Sequence, residues 1–339
     1  MSTESNVIAP GQPALRRSGR SSRETATTGA STGTTERAGL GLAAVGVLVF
    51  SFSVPMTKVA VRGIDPLLAA AGRAAVAGVL AAVVLAAGRS SWPTRREVVP
   101  LIAVAGGVVF GFPVLTAYAL RHVPSSHGAV VSGLLPLATA GCAVLRARER
   151  PTLAYWLCSL VGLGAVVAFV AGRDGWVVRP AHLLLLLAIA AAAVGYAEGA
   201  ILARTRRAGE VICWALVLSL PATIGLSAWS AASHPVTDAT VGQWLAFAYT
   251  AVCSMFLGFF AWYAGLARAG IARAGQLQLA QPALGLLWAW PLVGERPTAA
   301  AVVTVVVVLT SVAAGRRTAV HPAVRPAVRQ LPPPDRDQR

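Results

Sequence analysis

The sequence predicts an all-α integral membrane protein: ten transmembrane helices arranged as two inverted five-helix repeats. Three observations predict it. The chain of 339 residues is 56% hydrophobic and only 12% charged. Its apolar residues fall into ten long runs, and one stretch recurs at a fixed offset. A soluble domain carries roughly 25% charged residues. Surface-to-volume scaling leaves a soluble fold of this length unable to bury so much apolar side chain. Lipid as solvent resolves the excess.

A hydrocarbon core of about 30 Å needs about 20 apolar residues per helix. The runs that meet this length are residues 39–59, 66–87, 98–120, 126–145 and 153–171, then 181–203, 211–232, 243–267, 272–293 and 298–314. We number them spans 1–10. Backbone groups find no water in lipid, so each span is expected to be helical. A β-barrel would alternate apolar and polar residues, and stretches 183–193 and 302–309 show no alternation. Residues 1–38 are rich in Ser, Thr, Gly and Arg, and are expected to form a disordered tail. They are too long and polar for the n-region of a cleaved signal peptide. Residues 316–339, with Leu331-Pro332-Pro333-Pro334, read as a second extended tail.

The formal charge of +16 suggests nucleic acid at first, but its distribution excludes that partner. The arginines sit between apolar runs and in the tails, not along one face of a folded domain. The partner they fit is the bilayer. Ten spans put both tails on one side. That side receives Arg16, Arg17, Arg20, Arg23 and Arg37, the loop groups Arg89/Arg95/Arg96, Arg146/Arg148/Arg150, Arg204/Arg206/Arg207 and Arg268/Arg273, and the arginines beyond span 10. The opposite side receives only Arg62, Arg121, Arg173, Arg179 and Arg296. The positive-inside rule then makes both termini cytoplasmic in a multi-pass protein of the cell membrane.

No catalytic or metal-binding constellation accompanies these runs. Cys142, Cys158, Cys213 and Cys253 lie in apolar runs without CxxC spacing, and read as small buried hydrophobes. Of the five histidines, His122, His127, His182, His234 and His321, only His122 and His127 are close in sequence. No carboxylate or cysteine stands beside that pair. No P-loop is present. No cofactor is expected, and an enzyme is disfavoured. The competing readings are a membrane-embedded transferase, which wants a polar catalytic cluster, and a sensor or scaffold, which wants an extramembrane domain.

Residues 119–152 align without a gap on residues 265–298, an offset of 146. Leu120 meets Leu266, Pro136 meets Pro282, and Glu149-Arg150-Pro151-Thr152 meets Glu295-Arg296-Pro297-Thr298. The chain therefore divides into residues 39–171 and 181–315, five spans each. An odd number of spans per half makes the second half enter the membrane from the opposite side. Such inverted repeats are a common device of secondary transporters.

Ala119-Leu120-Arg121-His122-Val123-Pro124, Pro136 and Glu149-Arg150-Pro151 resemble the first half of an EamA-type member of the drug/metabolite transporter superfamily. Gly265-Leu266-Ala267-Arg268, Pro282 and Gly294-Glu295-Arg296-Pro297 resemble its second half, and the resemblance covers roughly residues 39–315. Arg148 stands where the second half has Gly294. The resemblance implies a ten-helix fold with both ends inside and a central cavity lined mainly by spans 1, 3, 4, 6, 8 and 9. It also implies export of amino acids, related metabolites or drugs by alternating access.

Intramembrane polar residues are costly, and therefore informative. Glu198 in span 6 is a candidate for binding an amine or relaying a coupling proton; the competing role is a structural pair with Arg204. Gln278 and Gln281 in span 9 are three apart and share a face just before Pro282. They fit substrate binding or helix gluing equally well. Ser132 is the repeat mate of Gln278, and Pro136 and Pro282 are expected helix breaks on which spans 4 and 9 gate. Tyr118, Tyr196, Trp262 and Tyr263, on helices expected to line the cavity, are candidates for stacking on a substrate. Arg73 in span 2 suits a carboxylate, but a structural role is favoured. Lys58 is expected to snorkel to the outer interface or to stand at the outer mouth.

Overall fold

A computed structural model describes residues 37–147, 153–174, 179–269 and 277–318. The expected tails, Gln276 and the first motif glutamate, Glu149, lie outside the described residues. Those described are helices joined by short connections, without a strand. We number the helices α1 (Arg37–Ala60), α2 (Pro66–Ala87), α3 (Arg95–His122), α4 (Ser125–Ser132) and α5 (Leu135–Ala147). There follow α6 (Leu153–Asp174), α7 (Pro180–Leu202), α8 (Ala208–Ser233), α9 (Val241–Ala269), α10 (Gln281–Val293) and α11 (Ala299–Thr318). Six of these are long and apolar enough to cross a membrane: α1, α2, α3, α7, α8 and α9. Large apolar side chains such as Val83, Leu160, Leu187 and Val303 point outward from the bundle, as lipid rather than water would permit.

Local chemistry sets where the helices start. Asp65 caps α2 by accepting from the Leu67 and Leu68 amides at 2.9 and 3.3 Å, and Pro66 occupies the first turn. Thr94 and Glu97 form a capping box at the start of α3, and Thr240 and Gln243 form one at the start of α9. The two boxes are separated by the 146-residue offset of the repeat.

Two features depart from plain α-helix, and both recur in each half. The expected span 4 is broken at Gly133-Leu134 into α4 and α5, with Pro136 the second residue of α5. In the second half a 3₁₀ turn, Gln278–Ala280, precedes α10, where Pro282 is again second. A proline ring clashes with the carbonyl four residues back and offers no amide, so regular helix fails just before it. The other departure is a wide turn: α3 is π-helical over Ala105–Gly111 and α9 over Tyr249–Leu257. Pro113 leaves the Val109 carbonyl without its α partner, which accounts for the first; α9 carries no proline.

Lipid supplies no hydrophobic drive between apolar helices, so close backbone approach must. Gly107 of α3 lies directly against the Ala191 carbonyl of α7, and Gly195 of α7 packs on Val108 in return. Gly265 of α9 lies against the backbone of Ala43 in α1 in the same manner.

Candidate functional site

The buried interior of the bundle holds a cavity of about 30 Å³. Its wall is Phe50 and Ser53 of α1, Arg73 of α2, Val108 and Phe112 of α3, Ala192 and Tyr196 of α7, Ser254, Met255 and Phe259 of α9, and Gln281 of α10. Both halves contribute. Val108 and Ser254 are mates at the repeat offset, and each stands in its half's π-helical stretch. Such wide turns are common at functional sites, because they push a residue out of helical register.

The wall has an aromatic side and a polar side. The Phe50 and Phe259 ring centroids are 4.8 Å apart, and Tyr196 lies 5.9 Å from Phe259. The Ser53 and Ser254 hydroxyls are 2.6 Å apart and join α1 to α9. Arg73 is 4% exposed, and its Nη1 donates to Thr57 Oγ1 at 3.3 Å. Its Nε has no partner, nor has the side-chain oxygen of Gln281. Buried polar groups are overwhelmingly hydrogen-bonded. A donor and an acceptor left over on one cavity wall therefore call for an occupant that supplies both complements.

Contacts between helices tie each end of the bundle together. At one end Lys58 donates to the carbonyls of Leu120 and Val123 at 2.6 and 3.0 Å, ending α3. Glu295 accepts from the Ser125 and Ser126 amides, both at 3.0 Å, and from the Ser125 hydroxyl at 2.9 Å, starting α4. Arg62 donates to the Val293 carbonyl at 3.2 Å, where α10 ends and Gly294 turns left-handed at φ 82°. At the other end Arg206 grips Glu97 bidentately at 2.7 and 3.2 Å, reaches the Ser91 and Trp92 carbonyls, and pairs with Glu210 at 3.4 Å. The Glu97 hydrogen bonds push the Arg206 pKa above its ordinary value.

Of the residues singled out by sequence, Tyr196, Gln281 and Arg73 stand in the cavity wall. Arg73 does so although span 2 was not expected among the main cavity walls; no described residue of span 4 lines the cavity. Gln278 is buried without lining the cavity, and Ser132 turns back to donate to the Ala129 carbonyl at 2.7 Å. Trp262 and Tyr263 are buried behind the aromatic wall, 6.3 Å from Phe50 and 5.5 Å from Phe259 respectively. Glu198 is buried in α7 away from the cavity lining, and Tyr118 is exposed near the Lys58 end. Lys58 turns to helix carbonyls, as above. Only Cys213 of the four cysteines is fully buried, while the other three are half-buried, and all are free thiols.

Sequence reasoning missed the wall residues Phe50, Ser53, Phe112, Ser254, Met255 and Phe259. Serines within apolar runs were the available signal for two of them. It also missed a histidine pair: His127 Nδ1 and His182 Nε2 lie 3.2 Å apart, both buried, although 55 residues separate them. No group of three or more His, Cys, Asp or Glu able to hold a metal occurs among the described residues.

A bundle of apolar helices around a small, partly polar cavity defines a multi-pass membrane protein with room inside it for a small polar group. Known proteins agree. The sequence profile of the EamA-like transporter family matches residues 37–171 and again 179–314. An uncharacterized transporter, YdeK, of Bacillus subtilis (strain 168) is 45% identical over 281 residues, covering 81% of this chain and 96% of that protein. A probable terminal-alkyne amino-acid exporter of Streptantibioticus cattleyicolor is 25% identical over 266 residues, covering 76% and 86%. One solved crystal structure shares the fold at a TM-score of 0.58 and 21% identity, over 84% of this chain and 98% of that one. The chain belongs to the EamA-like transporter family, within the drug/metabolite transporter superfamily, and carries two copies of its domain.

Proposed function

We propose that this transporter is a secondary carrier that exports small metabolites, amino acids or related compounds, across the cell membrane by alternating access. The observation that carries this reading is the cavity itself: both halves build it, and inter-helix contacts tie the bundle together at each end. In this reading the Glu295 contacts with α4 and the Arg206 contacts with Glu97 serve as the two gates, one at each end. Opening one while keeping the other would expose the cavity to one side at a time.

Ten spans in two inverted repeats, residues 39–171 and 181–315, are part of the reading. In its support, α3 starts beside Arg206 and ends beside Lys58. Its repeat mate α9 starts with Gln243 packed against Gly63, at the Lys58 end. Equivalent helices then run in opposite senses. The arginine count puts the Arg206 end and both tails in the cytoplasm. Export of amino acids is the activity that the Streptantibioticus relative's name suggests. Glu198, buried in α7, is the proposed proton-coupling group, and Gln281 and Tyr196, which stand in the cavity wall, are the proposed substrate-binding residues, backed by Trp262 and Tyr263.

The test is efflux of radiolabelled amino acids from proteoliposomes, with and without a proton gradient. Gln281→Ala is expected to reduce efflux to background, and Glu198→Gln to remove its dependence on the gradient, both with folded protein retained. Wild-type efflux in both variants would overturn these assignments.

A further inference from the structure

We propose that Arg73 is the anchor for a carboxylate on the transported molecule, so that the carrier selects small carboxylates against their amides. The inference rests on the transporter reading and names the chemistry of its cargo. Arg73 stands in the wall of the cavity described above, and on its other side it packs toward Thr57, Ala69, Ala117 and Thr250 with no room for a water. Among the described residues it is the only charged one in that cavity's wall.

A buried guanidinium within a membrane span normally pairs with an acid or with carbonyl groups. Among the described residues Arg73 has neither: its one hydrogen bond goes to the Thr57 hydroxyl, and Nε–H is left over. Asp65, the nearest acid along α2, is committed elsewhere, accepting from the α2 amides and from Ser230 Oγ at 2.7 Å. The cation is thus held in a low-dielectric interior without a counter-ion, at a cost that an arriving carboxylate removes. A guanidinium offers parallel N–H donors matched to the two oxygens of a carboxylate.

The rest of the wall limits what the carboxylate is attached to. Phe50, Phe112, Tyr196 and Phe259 supply an apolar, aromatic face. The unpartnered Gln281 oxygen accepts one hydrogen bond, as an amino group would donate. A cavity of about 30 Å³ has room for a carboxylate-sized group or one or two waters. The remainder of the cargo enters as the aromatic wall parts.

The experiment pairs each acid with its own amide. Wild-type protein in proteoliposomes is assayed for exchange of leucine, phenylalanine and phenylacetate, and of leucinamide, phenylalaninamide and phenylacetamide. The acids are expected to exchange at least about tenfold faster than the amides, the factor that one lost charge-assisted hydrogen bond carries. Arg73→Gln is expected to abolish exchange of the acids. Arg73→Lys keeps the cation but not the fork, and is expected to fold and to show a reduced acid-to-amide ratio. That ratio is independent of how much variant protein is folded. Chloride at high concentration is the control for a generic anion site, and is expected not to compete with the acids. Amides exchanged as fast as acids by the wild type would overturn the anchor and leave the transporter reading standing, as would an unchanged ratio in Arg73→Lys or full competition by chloride. Exchange of no solute by the wild type would instead defeat the transporter reading itself.

Discussion

Glu295 occupies a position where charge, geometry and sequence register meet. Its carboxylate takes two backbone amides and one hydroxyl at the start of α4, groups that an eight-residue helix cannot satisfy internally. A negative charge there also meets the positive end of the helix dipole. Glu295→Ala leaves those donors without the acceptor and is expected to cost about 0.5–2 kcal/mol, the range for losing a helix N-cap. Glu295→Gln keeps one carbonyl oxygen and is expected to fall between. Thermal unfolding of detergent-purified protein, followed by size-exclusion chromatography, measures both. A Glu295→Ala midpoint equal to wild type would show that the cap carries no stability. The sequence marked Glu295 through its motif, yet not its partner. Ser125 and Ser126 lie 170 and 169 residues away, and nothing in local spacing joins them.

The helix pairs hold together on small residues, which is where sequence reading was strongest and weakest at once. Helix existence was legible, because lipid imposes a length and an apolar composition on every crossing. The breaks before Pro136 and Pro282 have the proline as their local cause. The π-helical stretch in α9 was not legible, since no residue in Tyr249–Leu257 announces it. Nor was the mating of glycines across helices, because a glycine in a span reads alike whether it faces lipid or a neighbour. Gly107 and Gly225 illustrate the difference. A Cβ at Gly107 would strike the Ala191 carbonyl and come within 2.9 Å of the Gly195 amide nitrogen, whereas one at Gly225 meets nothing within 4 Å. Gly107→Ala is therefore expected to cost about 1–3 kcal/mol, as overpacking does. Gly225→Ala is expected to leave stability unchanged or raise it by about 0.5–1 kcal/mol. Equal unfolding midpoints for the two variants would contradict the α3–α7 packing.

The inward face of the whole molecule was the least legible feature. A helix apolar all round, such as α2, carries no amphipathic stripe to say which side looks inward, so Arg73 could be placed at a depth but not on a wall. The direction in which the chain threads the membrane is instead an expectation from arginine counts, and it makes the final prediction. The connection 203–207 carries Arg204, Arg206 and Arg207, whereas the connection 234–240 carries none, and α8 lies between them. In a background with Cys142, Cys158, Cys213 and Cys253 replaced by serine, Asp238→Cys and Arg207→Cys each place a single thiol on an exposed residue. A membrane-impermeant maleimide added to intact cells is expected to label Asp238→Cys at once, and Arg207→Cys only after permeabilisation. The reverse pattern would put the arginine-rich end outside, against the positive-inside rule. Labelling of both in intact cells would mean that α8 does not cross, and the odd number of crossings that inverts one half against the other would fail with it.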